Sequence, residues 1–319
     1  MSGARKSAAL VIPVYRNAAT IPDLISAIEG IAAMHAGKFE AIFVVDGSPD
    51  DSIALLVRHL PVAQFTSRLI VLSRNFGSFA AIREGLRASS ADMIAVMAAD
   101  LQEPPDLIPR FLAVLASDEA DVAFGERVER GDPWQSRIAA AMFWRLYQRF
   151  VQRDMPVGGV DVFAITSTVR DHLLTLESRH TSLVGQLVWL GFRRVGVPYT
   201  RRAREHGVSA WTLRKKIDYL LDSVFAFSDF PIRALTAVGG LGVVLCVVAG
   251  LTVLIARLIG DIAVPGYTPI MLLVLFFAAL NLFGLGVIGS YVFRAFEAAK
   301  QRPGAVVMRE IQYEGQKAP

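Results

Sequence analysis

Short apolar runs and amphipathic segments alternate along the first 125 residues. Ala8–Val14, Phe39–Asp46, Arg68–Leu72, Met93–Met97 and Ala120–Phe124 have the length and largely apolar character of buried strands. Between them, Ile21–Met34, Asp51–Arg58 and Ser78–Arg87 repeat apolar positions at helical spacing. Strands this short, separated by helices, predict a mostly parallel sheet covered by helices on both faces. Residues 126–211 mix polar and aromatic positions and are expected to build the other wall of a cleft. From Thr212 to Phe230 the period turns helical again: Leu213, Ile217, Leu220, Val224 and Phe227 share one face, with Arg214, Lys215, Asp218 and Asp222 elsewhere. This segment directly precedes a long apolar stretch, which predicts an amphipathic helix lying in a membrane interface. A helix packed on the soluble domain is the alternative.

The C-terminal third changes character. No charge occurs between Arg233 and Arg257, about 23 residues, enough to cross a hydrocarbon core of about 30 Å as a helix. A second uncharged stretch runs from Ile262 to Phe293. The expected organisation is a catalytic domain over 1–211, an interfacial helix over 212–232, two spans within 233–294 (about 234–258 and 269–293) and a cytoplasmic tail over 295–319. The connector Gly260–Tyr267 carries Asp261 and no base, whereas Arg214, Lys215, Lys216 and Arg233 flank one side and Arg294, Lys300 and Arg302 the other. The positive-inside rule then puts both termini in the cytoplasm and the connector outside. Met1–Ala9 lacks an apolar signal region, so the domain is expected to stay on the cytoplasmic side of a multi-pass protein of the inner membrane.

Overall composition adds less. The hydrophobic fraction of 53% and mean hydropathy of +0.44 reflect the C-terminal stretches. The single cysteine, Cys246, allows no intramolecular disulfide and no cysteine zinc cluster. The net charge of +4 hides a cluster: Arg193, Arg194, Arg201, Arg202, Arg204, Arg214, Lys215 and Lys216 stand against Glu205 alone. A basic patch just before a span suits anionic headgroups of membrane lipids and phosphate. No nucleic-acid-binding motif accompanies it, so nucleic acid is not an expected partner.

The candidate chemistry gathers at the carboxyl ends of the strands, where open α/β sheets bind ligands. The fourth strand leads into Asp100-Leu101-Gln102-Glu103-Pro104-Pro105. Asp100 and Gln102 offer a carboxylate and an amide oxygen that can share a divalent metal with a substrate's phosphates. An ordinary acidic loop reads the same way in isolation. The first strand ends in Pro13-Val14-Tyr15-Arg16-Asn17, whose ring faces suit a nucleobase, and the second in Asp46-Gly47-Ser48, where a carboxylate can accept a base imide hydrogen. Arg74 and Asn75, after the third strand, can lie beside a nucleotide or merely cap the next helix. Arg127, in Gly125-Glu126-Arg127, and Arg130 offer guanidiniums suited to a diphosphate.

In their order along the chain, Pro-x-Tyr, Asp-Gly-Ser, Arg-Asn-x-Gly, Asp-Leu-Gln-x-Pro-Pro and Gly-x-Arg resemble the inverting family 2 glycosyltransferases. The resemblance narrows to the polyprenyl-phosphate glycosyltransferases, of the bactoprenol glucosyltransferase and dolichyl-phosphate mannose synthase type. It extends through Asp161 in Gly159-Val-Asp-Val-Phe163, Arg201–Trp211, Phe227-Ser228-x-x-Pro231-x-Arg233 and the two spans. It implies a GT-A nucleotide-sugar domain of Rossmann-like α/β class and a divalent metal, Mg2+ or Mn2+. It also implies transfer of a sugar, with inversion, from a nucleoside-diphosphate sugar such as a UDP-sugar to polyprenyl phosphate. Catalytic roles fall to Asp100, Asp161 and Arg127, nucleotide-sugar contacts to Pro13, Tyr15, Asn17, Asp46, Arg74, Asn75, Gln102 and Arg130, and lipid-phosphate contacts to Arg201, Arg202, Arg204 and Ser209. A homo-oligomer is expected.

Three positions depart from the family pattern. Ala98-Ala99-Asp100 stands where Asp-Ala-Asp is usual, leaving Asp100, with Gln102, to hold the metal. Tyr15-Arg16-Asn17 replaces Tyr-Asn-Glu, and Gly207-Val208-Ser209-Ala210 replaces Gly-Lys-Ser-Lys, which moves lipid-phosphate binding onto Arg201, Arg202 and Arg204. Two other readings compete. A processive polysaccharide synthase would carry Gln-x-x-Arg-Trp and more spans, and neither is in the sequence. A catalytically silent scaffold of a glycan pathway is suggested by Ala98.

Overall fold

The computed structural model describes residues 6–128, 145, 147–149, 151–156, 160, 162–176, 182–201, 223–225, 228, 230–259 and 267–316. Their strands are β1 (Ala8–Val14), β2 (Phe39–Val45), β3 (Thr66–Leu72), β4 (Met93–Val96), β5 (Val122–Arg127), β6 (Phe163–Thr166), β7 (Arg194–Tyr199) and β8 (Val307–Tyr313). The α-helices are α1 (Ile21–Met34), α2 (Ser52–His59), α3 (Ser78–Ala88), α4 (Leu107–Ala116), α5 (Ser167–Thr175), α6 (Leu183–Leu190), α7 (Phe230–Ile259) and α8 (Tyr267–Ala299). The chain forms two compact units, Met1–Tyr219 together with Pro303–Pro319, and Leu220–Arg302.

The first unit is built on one eight-stranded sheet in the order β7-β5-β6-β4-β1-β2-β3-β8. β1 is its centre. It runs parallel to β2, with Ala8 opposite Phe39 and Val14 opposite Val45, and parallel to β4 on its other side. Leu10, Val11 and Ile12 have no exposed surface, as expected of a strand covered on both faces. The helices follow the sequence pattern: α1 buries Ile21, Leu24, Ile25, Ile28 and Ile31, a 3–4 spacing that lays one stripe on the sheet. α3 comes closer than most, because a β-carbon on Gly85 would lie 2.3 Å from Cγ1 of Val11.

The sheet is more mixed than the apolar runs predict. β6 lies antiparallel between β4 and β5, and β8 antiparallel along β3. Residues 126–211, irregular by pattern, supply β6, β7, α5 and α6. Two of their helix starts are capped by side chains, Thr166 accepting from the amide of Val169 and Ser182 from that of Gly185. Residues 295–319, expected to be a tail, contain the end of α8 and the edge strand β8.

Because β2 and β4 flank β1 on opposite sides, connections leave β1 in one direction and reach β4 in the other. The sheet therefore has its topological switch point at the carboxyl ends of β1 and β4, the position where open α/β sheets bind ligands.

The second unit contains α7, of 30 residues, and α8, of 33. Apolar side chains such as Leu241, Val248, Phe276, Phe283 and Leu285 are exposed along them. Among the described residues, one stretch, Phe276–Ala299, meets by length and composition the requirement for crossing a membrane. Near its end, Phe225 packs edge-on to Tyr291 with ring centroids 5.3 Å apart, and the Arg294 guanidinium lies 5.1 Å from the Phe225 ring centre. Most of the expected interfacial helix and most of the Gly260–Tyr267 connector lie outside the described residues.

Candidate active site

Three loops at the carboxyl ends of β1, β2 and β3 are tied together. After β1 the chain turns through Arg16, whose φ of +57° is in the left-handed region, and the Arg16 amide donates to Ser48 Oγ at 2.7 Å. Asn17 Oδ1 accepts from the Tyr15 amide at 3.0 Å. Asp50 accepts from Ser48 Oγ at 2.6 Å and from the Ala18 amide at 2.9 Å. Burial pushes the Asp50 carboxyl up, but the hydrogen bonds from Ser48, Ser52 and Ala18 together outweigh it and hold the group below the usual carboxylate range.

Asp46 is buried, and its two oxygens accept from the amides of Phe76 and Gly77 at 2.7 and 2.8 Å. The β2 loop thus shapes the start of α3. Gly47 permits the approach: its φ is +59°, and a β-carbon there would sit 2.3 Å from the carbonyl carbon of Arg74. This leaves Arg74, Asn75 and Tyr15 exposed at the same edge, with Arg74 stacked 4.0 Å from the Phe76 ring centre. Pro13 is half-buried in β1.

The loop after β4 crosses the switch point. Thr20 Oγ1, at the start of α1, donates to the Ala99 carbonyl at 2.8 Å, joining the β1 loop to it. Leu101 has a φ of +55°, a strained conformation for a branched side chain, and lies between half-buried Asp100 and buried Gln102. Gln102 Oε1 accepts a hydrogen bond from Arg201 Nη2. Arg201 follows β7, whose exit is fixed by Arg110 donating to the Pro198 carbonyl at 3.0 Å. Arg127 ends β5 opposite Tyr199 in the ladder, and its Nε donates to the Tyr199 hydroxyl at 3.4 Å.

Asp100 and Gln102, from one loop, therefore meet Arg127 and Arg201, distant in sequence, at one end of the sheet. At their centre is a residue that sequence reasoning passed over. Glu103 is 3% exposed, and neither carboxylate oxygen has a hydrogen-bond partner. Burial above all, and then the charge of Asp100, raise its pKa to about 7, while Arg201 and Arg127 pull it down. The sequence signal was slight: an acid in the one position of Asp-Leu-Gln-x-Pro-Pro that the motif leaves open.

A carboxylate at Asp100 and an amide oxygen at Gln102 form a hard oxygen donor set. It fits a divalent cation that completes its shell with substrate phosphates and water. Among the described residues no group of three or more His, Cys, Asp or Glu is placed to hold a metal. Arg130, Asp161, Arg202, Arg204 and Ser209 lie outside the described residues.

The sequence matches Glycosyl transferase family 2 over residues 9–170. It is 28% identical over 308 residues to the undecaprenyl-phosphate 4-deoxy-4-formamido-L-arabinose transferase of Klebsiella pneumoniae, covering 96% of this chain and 94% of that protein. It is 27% identical over 304 residues to the bactoprenol glucosyl transferase of Shigella phage SfV, covering 95% and 98%. The structure of mannosyltransferase PcManGT from Pyrobaculum calidifontis, in complex with GDP-Man and Mn2+, superposes with a TM-score of 0.49 at 15% identity over 93% of this chain and 76% of that one. The family match takes in β1 to β6 and half of the chain, including the Asp46, Asp100 and Arg127 loops, and the chain accordingly belongs to glycosyl transferase family 2.

Proposed function

We propose that this glycosyltransferase moves a sugar from a UDP-sugar to undecaprenyl phosphate at the cytoplasmic face of the inner membrane. The observation that carries the reading is the meeting of Asp100 and Gln102 with Arg127 and Arg201 at the switch point. Acidic and basic groups so arranged suit a donor diphosphate and an acceptor phosphate at once. The full-length similarity to undecaprenyl-phosphate and bactoprenol sugar transferases supports the acceptor.

The chemistry asks little of a general base. The acceptor phosphate is anionic at neutral pH, so one of its oxygens attacks the anomeric carbon directly. The bond from that carbon to the nucleoside diphosphate breaks on the opposite face, and the diphosphate leaves with the electron pair. Charge on the leaving diphosphate is what the site must neutralise, a role suited to the guanidiniums of Arg127 and Arg130. Asp100 and Gln102 would hold a divalent cation, which supplies the same stabilisation when bound. Tyr15, Asn17, Arg74 and Asn75 face the nucleotide, and Asp46 holds their loops in shape. Arg201, with Arg202, Arg204 and Ser209, takes the lipid phosphate; Asp161 orients the acceptor or assists the cation.

The two apolar helices are assigned as membrane spans. Pro303–Pro319 forms one compact unit with Met1–Tyr219, which supports an even number of crossings by the chain between them. Two crossings, by α7 and α8, agree with that parity and with the basic flanks.

The test is to incubate the purified protein with undecaprenyl phosphate and a panel of nucleotide sugars and to assay glycolipid. Formation of a glycolipid from one donor, lost in Asp100→Ala without loss of the folded state, is the expected result. An Asp100→Ala protein that turns over at the wild-type rate sinks the assignment.

A further inference from the structure

The chain between β1 and α1 turns through a conformation that its own side chains do not favour. Arg16 has a φ of +57°, in the left-handed region that a residue with a β-carbon enters at a cost. Tyr15 and Arg16 are both exposed, so burial of their side chains does not force the turn. Hydrogen bonds to two residues of the β2 loop do. Ser48 Oγ accepts from the Arg16 amide at 2.7 Å and donates to Asp50 Oδ1 at 2.6 Å. Asp50 Oδ2 accepts from the Ala18 amide at 2.9 Å. The amides on either side of Asn17 are thus held by one Ser–Asp pair. Asp50 stays a charged acceptor: burial pushes its carboxyl up, but the bonds from Ser48, Ser52 and Ala18 outweigh that, and ionised acceptors make the stronger bonds. A strained residue with a dedicated network around it, at the edge of a candidate site, is a pointer from geometry to function.

We infer that Ser48 and Asp50 are positioning residues for the donor nucleotide, holding Arg16 in the left-handed conformation that presents Tyr15 and Asn17 to it. The inference rests on the nucleotide reading of the proposed function and adds two residues to it. They act by fixing the loop before the nucleotide arrives, so that binding does not have to order it. Asn17 belongs to the same device. Its Oδ1 accepts from the Tyr15 amide and its carbonyl from the Thr20 amide, each at 3.0 Å, which closes the turn on both sides. The arrangement also bears on the departure from the family pattern at residue 16. Asparagine, usual there, tolerates the left-handed region better than most side chains; arginine does not, and leans more heavily on Ser48 and Asp50.

The experiment titrates UDP calorimetrically into the full-length protein in detergent, with Mg2+ present, as a double-mutant cycle at residues 16 and 48. Ser48→Ala should weaken UDP binding about 5- to 30-fold, the factor that matches the backbone cost of a left-handed residue. In the Arg16→Asn background the same change should cost about threefold or less, because asparagine keeps the turn with less help. Unchanged UDP affinity in Ser48→Ala overturns the inference. So does a loss of equal size in both backgrounds, which would make Ser48 a general support of the fold. Tyr15→Ala separates the two levels. A wild-type protein that does not bind UDP, or Tyr15→Ala and Ser48→Ala variants that both bind it unchanged, would remove the nucleotide reading itself. If Tyr15→Ala weakens binding and Ser48→Ala does not, only the present inference falls.

Discussion

The two oxygens of Asp46 already accept the amide hydrogens of Phe76 and Gly77. By residue type this carboxylate suits a nucleobase imide; by position it also fastens the loop that carries Arg74 and Asn75. The distinction has a measurable consequence. Asp46→Ala leaves two amides without acceptors and should cost about 1–3 kcal/mol of stability, with nucleotide binding reduced in the same variant because the β3 loop loses its shape. Chemical unfolding beside UDP titration checks this. Unchanged unfolding with lost binding would return Asp46 to the ligand. Glu103 shows the reverse case, a residue that the motif makes unremarkable and burial makes conspicuous. Neither environment can be read from a single sequence, because the neighbours that define it come from other strands: β3 for Asp46, and β5 and the exit of β7 for Glu103.

At the scale of elements, patterning served where the partner is near in sequence and burial is two-sided. α1 runs over Ile21–Met34 as its apolar stripe predicts, and the strands β1 to β4 begin and end within two residues of their apolar runs. It failed where a strand lies at an edge. β8 carries exposed Val307, Met308, Arg309 and Glu310 and has no buried run to announce it. Its place is set by the ladder to β3, and by Arg68, which sits 3.2 Å from Glu40 on one side and 3.2 Å from Glu310, 242 residues away, on the other. Without β8 the whole length of β3 becomes an open edge, a template for pairing with other chains. Deletion of Pro303–Pro319 should therefore lower the thermal midpoint and promote aggregation, whereas deletion of 317–319 alone should do neither. Differential scanning fluorimetry and size-exclusion chromatography in detergent decide it, and an unchanged midpoint in the longer deletion would show that β8 adds nothing to the sheet.

For the whole molecule, the return of β8 constrains how the chain meets a membrane. A strand hydrogen-bonded to β3 must be on the same side of the bilayer as β3, whatever happens between Leu220 and Arg302. With Cys246 replaced by serine, an impermeant maleimide should label Ala263→Cys on intact cells and should label Ala318→Cys only after lysis. The opposite pattern would invert the topology, and labelling of both positions on intact cells would contradict a span on each side of residue 263.

The sequence by itself determined the alternation of strand and helix up to residue 125, the two long apolar helices and the motifs that name the family. Each of these is written in local spacing, in the period of apolar residues or in a few adjacent side chains. Tertiary structure alone decided that β6 and β8 run against their neighbours and that Arg127 and Arg201 arrive beside Gln102. It also decided that Asp46 accepts the amides of Phe76 and Gly77 and that Glu103 is sealed without a partner. The physical reason is common to all of these. Hydrogen-bond pairing and desolvation depend on which groups the fold brings within a few ångströms, and for these residues those groups lie tens to hundreds of positions away along the chain.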